Sequence, residues 1–201
     1  MIHKANFYLN YKEKRFLKNL RPLSTYSKII HGANFGRGVE ATSLIPECSL
    51  IGVYPGQSIT IKTLLEKEEF VNKSIKCCFL HPNNSIVDPT DIFGYLQDTP
   101  SRRIAFINEP ISGVRANTIS VSSRSCIWYL TIREIKTGEQ LFTNYGYSYK
   151  RDYETSVSDE ENSFDNPDSL NVKELNCLKS AAVKYSWLKS DLAELLEKES
   201  Q

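Results

Sequence analysis

No stretch of this 201-residue chain approaches the roughly 18 consecutive apolar residues that a membrane helix requires. The opening segment, MIHKANFYLNYKEKRF, lacks the apolar core of a secretory signal. An intracellular protein is therefore expected, in nucleus or cytoplasm, or one exported by a route that hydropathy does not reveal. Histidine is scarce, with three residues at 3, 31 and 81, too scattered to suggest a metal site. Five cysteines stand at 48, 77, 78, 126 and 177; the number is odd, two are adjacent, and no C-x-x-C pair exists. Neither a disulfide framework nor a zinc cluster is expected from that spacing, and buried reduced thiols are. No metal cofactor is expected. Internal repeats and low-complexity segments are missing too. A net charge of +1 leaves no general basic surface, so direct nucleic-acid binding is not expected.

What is present suits an ordinary soluble protein with one sizeable core: 40% hydrophobic and 24% charged residues. The near-neutral total hides an asymmetry. Residues 1–40 hold eight Lys/Arg against two acids, and residues 151–201 hold six against twelve. Two opposite ends of this kind can dock on each other, or the acidic end can attract a basic peptide.

Residues 1–23 read as a basic N-terminal extension, with a short helix over 5–20 and Phe7, Tyr11, Leu17 and Leu20 as its apolar contacts. From residue 24 the chain turns to β-branched runs broken by Gly and Pro: STYSKII, GVEATSL and SLIGVYPG. Residues 60–71 have helical spacing, with Thr60 or Thr63 as the cap. KCCFL and SIVD read as strands around the turn HPNN, and SRRIAFI as one or two helical turns. Residues 117–133 form a hairpin pattern with its turn at Ser122–Ser125, and EQLFTNY reads as the next strand. Residues 154–170 are an acidic linker. Residues 171–201 form a C-terminal helix, opened by the capping-box pattern Asn171-Val-Lys-Glu174. Its apolar stripe runs through Leu175, Leu178, Ala182, Tyr185, Leu188, Leu192 and Leu195. Packing on its own domain is the default; a homodimer through this helix is the alternative.

Three separated stretches carry the chemistry. The first is Gly36-Arg37-Gly38-Val39-Glu40-Ala41, followed by GVYPG at 52–56. The second is Phe106-Ile107-Asn108-Glu109-Pro110, followed by Ala116-Asn117-Thr118. The third is Gly138-Glu139-Gln140-Leu141, followed by Asn144-Tyr145-Gly146-Tyr147. Each alone has a bland reading, as a turn, a cap or a strand edge. In this order and spacing, residues 24–153 resemble the SET-domain family of protein lysine methyltransferases, in a minimal form without zinc-binding flanks.

The resemblance implies a mainly β fold with some helix, several small sheets around a knot-like core, plus the C-terminal amphipathic helix. It implies S-adenosyl-L-methionine as methyl donor and a protein lysine as acceptor, a histone tail first, with a role in chromatin regulation. The host nucleus is implied if the source is viral or a bacterial effector. Carried over by residue, Phe35, Gly36, Arg37, Gly38, Asn108, Glu109 and Tyr145 would bind the donor. Tyr145 and Tyr54 would be catalytic. Tyr54, Tyr147, Thr143 and Ser120 would line the lysine channel. Tyr149, Tyr153 or Phe164 would pack over the donor or close the channel, and the C-terminal helix would cover the donor or the channel. Because Thr143 and Ser120 are small, room for di- or trimethyllysine is expected. Two departures stand out. Glu109 replaces the usual His, which puts a carboxylate where it would weaken donor binding. Ala116 replaces the usual Pro. A SET-shaped module that binds a peptide without turnover is the alternative.

Overall fold

Asn10 starts the first helix, α1 (Tyr11–Asn19), as its sequence directs: its side chain accepts from the Glu13 N–H, and Glu13 reaches back to the Asn10 N–H. The computed structural model describes residues 9–33, 36–71, 77–80, 85–111, 114–123, 126–145 and 170–198. The expected contact residue Tyr11 is 75% exposed. Phe16 makes the contact instead, its ring 5.0 Å from that of Trp187 and 5.6 Å from that of Tyr185. The basic N-terminal helix therefore does meet the acidic C-terminal region, but through aromatic rings. Phe7 lies outside the described residues.

The strands make three small antiparallel sheets. β1 (Ser27–Ala33) pairs with β2 (Gly36–Ala41), so that Ile30 faces Gly38 and His31 faces Arg37. The second sheet has the order β3-β8-β7, from Leu50–Val53, Ile127–Thr131 and Thr118–Ser122. The third has the order β4-β6-β5, from Gln57–Ile59, Ile86–Asp88 and Phe79–Leu80. Helix α2 (Ile61–Val71) follows β4, with the Thr60 hydroxyl capping the Thr63 N–H. A 3-10 helix over Pro100–Phe106 supplies the turns read from SRRIAFI.

β8 explains the layering. All five of its residues are buried, as befits a central strand covered on both faces. Side chains alternate along a strand. Ile127 and Tyr129 accordingly join a core with Ile51, Tyr54, Phe106 and Leu141. Trp128 and Leu130 join a second core with Leu178, Tyr185, Leu188 and Leu192. The C-terminal helices thus pack on the sheet face opposite Tyr54 and Tyr129. That places them away from Tyr54, the residue expected to line the lysine channel.

The C-terminal helix is not continuous. It divides into α3 (Val172–Lys184), a 3-10 turn at Ser186–Leu188, and α4 (Lys189–Lys198). The break falls at Tyr185, whose backbone leaves the helical region at φ −114°, ψ 72°. Its ring is drawn into the sheet, where its hydroxyl accepts from the Leu50 N–H at 3.1 Å and donates to the Cys48 carbonyl at 3.3 Å. Tertiary bonding overrides the helical period here. The Asn171 capping box forms as expected. The expectation of reduced thiols fails at one pair. Cys48 and Cys177, 129 residues apart, form a disulfide with Cα atoms 5.4 Å apart. Local cysteine spacing carries no signal for a pair that only the docking of α3 brings together. Cys77, Cys78 and Cys126 take no part in that disulfide.

EQLFTNY is not a strand of one sheet. Gln140 bridges to Glu40, Phe142 to Asn108 and Thr143 to Thr118, the last two in parallel. Its first residues run along β2 and its later ones beside Asn108 and Thr118, which threads the segment between separate parts of the chain and produces the knot-like core. Near it, Gly56 sits at φ +141°, and a Cβ there would lie 2.5 Å from the Asp88 carbonyl oxygen. Gly56→Ala is expected to destabilise the fold by more than about 1 kcal/mol. A lower denaturant midpoint at unchanged slope would register it.

Candidate active site

Three consecutive residues, Ile107, Asn108 and Glu109, organise the site. They leave the 3-10 helix in extended conformation and lie beside the threaded segment 140–143. The Asn108 side-chain amide donates to the Arg37 carbonyl at 2.9 Å, which ties it to the G-R-G start of β2. Its own carbonyl accepts from the Thr143 N–H at 2.9 Å. The Ile107 carbonyl accepts from the Tyr145 hydroxyl at 3.0 Å. A Glu109 carboxylate oxygen accepts from the Tyr145 backbone N–H at 2.9 Å. Arg37, Asn108, Glu109 and Tyr145 are thereby connected through hydrogen bonds spanning more than a hundred positions of sequence.

The thread itself is fastened by Asn117, which is fully buried. Its side-chain amide donates to the Gln140 carbonyl and its side-chain oxygen accepts from the Phe142 N–H, both at 2.8 Å. The N–H groups of Asn117 and Thr118 both donate to the Phe142 carbonyl. Asparagine suits this position because it offers a donor and an acceptor on one short side chain.

The G-R-G start of β2 has room beside it. Gly36 sits at φ +90°, and a Cβ built on it would meet nothing within 4 Å. Arg37 turns away from that edge. Its guanidinium lies 4.5 Å from the Phe106 ring centroid and donates to the Leu96 carbonyl at 3.0 Å. A ligand can therefore approach the backbone of this strand end closely.

An aromatic wall stands on the same core. The Tyr54 ring stacks at 6.0 Å on Tyr129 and tilts against Phe79 at 5.6 Å. Its hydroxyl donates to the Cys77 carbonyl at 2.5 Å. Burial pushes the Tyr54 phenol well above its ordinary range, and neighbouring Tyr129, Cys77 and Tyr145 add to this. Burial also raises the Tyr129 phenol, with Thr143 acting against it. Both phenols consequently stay neutral at physiological pH.

The structure brings Tyr54, Asn108, Glu109, Thr143 and Tyr145 into one region. Ser120 lies across the hairpin from Tyr129, as its direct register partner. The expected contacts at Phe35 and Tyr147 fall outside the described residues, as do Tyr149, Tyr153 and Phe164. Sequence reasoning missed Tyr129, which looked like an ordinary strand residue. It also expected the Glu109 carboxylate near the donor, whereas that carboxylate is 4% exposed and bonded to Tyr145. Among the described residues, no group of three or more His, Cys, Asp or Glu side chains gathers as a metal site.

A family model described as the SET domain matches residues 36–146. The fold is similar to the methyltransferase domain of human PR domain-containing protein 2, with 19% identity over 70% of this chain and 86% of that one, at a TM-score of 0.44. It is also similar to a humanized mutant of the Chaetomium thermophilum Polycomb Repressive Complex 2 bound to the inhibitor GSK126. There the identity is 21% over 62% of this chain and 15% of that one, at a TM-score of 0.45. No curated protein matches the chain in sequence. With more than half its length inside the match, the chain belongs to the SET-domain family.

Proposed function

We propose that this protein is an S-adenosyl-L-methionine-dependent protein lysine N-methyltransferase. The observation that carries the reading is the hydrogen-bonded connection of the G-R-G start of β2, residues 107–109 and Tyr145 inside the family match. Donor and acceptor would meet where these converge.

The residues present fit such a donor. The open edge at Gly36 accepts a close ligand, and Asn108 holds the neighbouring backbone at Arg37 in place. When bound, S-adenosyl-L-methionine supplies an electrophilic methyl group on a sulfonium. The chain's own part is to deliver a neutral amine in line with it. A free lysine is mostly protonated at neutral pH, since its reference pKa is about 10.4. Tyr54 and Tyr129 form a buried wall that strips water from an entering ammonium and favours its neutral form. Their neutral ring faces tolerate the positive charge before it is lost. Alignment by Tyr145 and this wall then carries most of the rate, because near-attack positioning can supply about 7–11 kcal/mol.

A basic lysine-containing peptide is the proposed substrate class, with histone tails first. Support comes from the excess of six acidic charges over residues 151–201, which favours a cationic partner. Saturable binding of S-adenosyl-L-methionine by calorimetry is expected. Its absence would favour the non-catalytic peptide-binding module.

Tyr129 revises the expected product. Ser120 and Thr143 are small, but Tyr129 is the direct partner of Ser120 across the hairpin and lies close enough to Thr143 for that side chain to act on its phenol. Monomethyllysine is thus the expected main product, not di- or trimethyllysine. Tyr129→Phe removes only the hydroxyl oxygen and should shift the products toward dimethyllysine by mass spectrometry. An unchanged distribution would refute this role.

A further inference from the structure

We infer that Glu109 is a positioning residue that fixes Tyr145 at the reacting centre, a role that rests on the methyltransferase reading above. Tyr145 is held at two points by residues two apart in sequence. Its hydroxyl donates to the Ile107 carbonyl and its backbone N–H donates to the Glu109 carboxylate. The intervening Asn108 accepts from the Thr143 N–H, two residues before Tyr145. Residues 107–109 therefore act as a template along which 143–145 is laid, with Glu109 holding its far end.

The residue type matters. Glu109 is 4% exposed, so its carboxylate is desolvated at considerable cost unless it is bonded. A backbone N–H bonded to a carboxylate is roughly twice as strong as its neutral counterpart. It also fixes the backbone of Tyr145 rather than only its ring. Main-chain anchoring sets the direction of the Cα–Cβ bond, and the hydroxyl contact then sets the side-chain torsion. Together they leave the phenol one position, which is the requirement for alignment catalysis. The substitution that distinguishes this chain from its family pattern is in this view built into the site and does not mark its decay.

The test uses the full chain with Glu109→Ala and Glu109→Gln. Gln keeps an acceptor oxygen and the side-chain shape but not the charge. Methyl transfer from labelled S-adenosyl-L-methionine to core histones is measured, with donor affinity by calorimetry and exchange of the Tyr145 amide by NMR. Glu109→Ala is expected to lower kcat about ten- to a hundredfold, with donor affinity nearly unchanged. The Tyr145 amide should lose protection, and Gln should restore most of both. A Glu109→Ala protein with wild-type kcat, or with the Tyr145 amide as protected as before, would overturn the inference. So would an equal loss in Ala and Gln variants that leaves the amide unaffected. A wild-type protein that neither binds donor nor transfers methyl would sink the functional reading instead. The amide exchange would still report on the anchor.

Discussion

Tyr145→Phe is expected to lower methyl transfer about 10²–10³-fold while leaving donor affinity and folding nearly intact. The change removes one oxygen. That oxygen donates to the Ile107 carbonyl and lies where the template of residues 107–109 meets the thread. Removing one preorganised polar group from a reacting centre typically costs that much in kcat. The stability cost is smaller, about 1 kcal/mol, the usual net contribution of one intramolecular hydrogen bond. Rate and stability should therefore separate clearly in this variant. Tyr54→Phe makes the useful contrast. The Tyr54 hydroxyl is committed to the Cys77 carbonyl, so its main work is as a ring in the wall. Its loss should cost far less rate than the loss of the Tyr145 oxygen. Steady-state kinetics on both variants, with thermal melts alongside, checks the pair.

Asn117→Ala should be the most destabilising single change at the site. Its side chain satisfies the Gln140 carbonyl and the Phe142 N–H in a place with no solvent access. Alanine leaves both groups unpaired, and each unsatisfied buried group costs about 1–3 kcal/mol. A total near 4 kcal/mol follows, which for a chain of this size lowers Tm by roughly 8–15 °C. Activity should fall along with stability, because the same thread carries Tyr145. Leu44→Ala makes a suitable control, since that side chain is 53% exposed and far from the thread in the hydrogen-bond network. A melt within a degree or two of wild type for Asn117→Ala would mean that the thread is not held as described.

How much of this was legible in the sequence varies with the range of the interactions. Local rules read well. The Asn171 capping box, the Thr60 cap, the 3-10 turns before Ile107 and the β7–β8 hairpin all follow from residues within a few positions of one another. The motif residues were legible through their order, although what joins them was not. The Glu109 carboxylate bonds a backbone group 36 positions away, and no spacing rule reports that. The Cys48–Cys177 pair and the break at Tyr185 were hidden for the same reason, because both depend on how α3 meets the β3–β8 edge.

Tyr129 was closer to reach. A turn placed at Ser122–Ser125 pairs Ser120 with Ile127. The observed turn is closed by the Ser123 N–H donating to the Cys126 carbonyl, which moves the register by two and pairs Ser120 with Tyr129. A two-residue shift keeps every side chain on its own face. The face of Ser120 is therefore the same in either register, and only its partner differs. That single step turned an open channel into one with a phenol at its side.

The most direct measurement is methyl transfer from labelled S-adenosyl-L-methionine to core histones and to total cell protein, with products mapped by mass spectrometry and Tyr145→Phe alongside. The account predicts label on a lysine side chain, mainly one methyl group per lysine, strongly reduced in the variant. Label on no lysine in either protein mixture, or equal labelling by wild type and Tyr145→Phe, would contradict it.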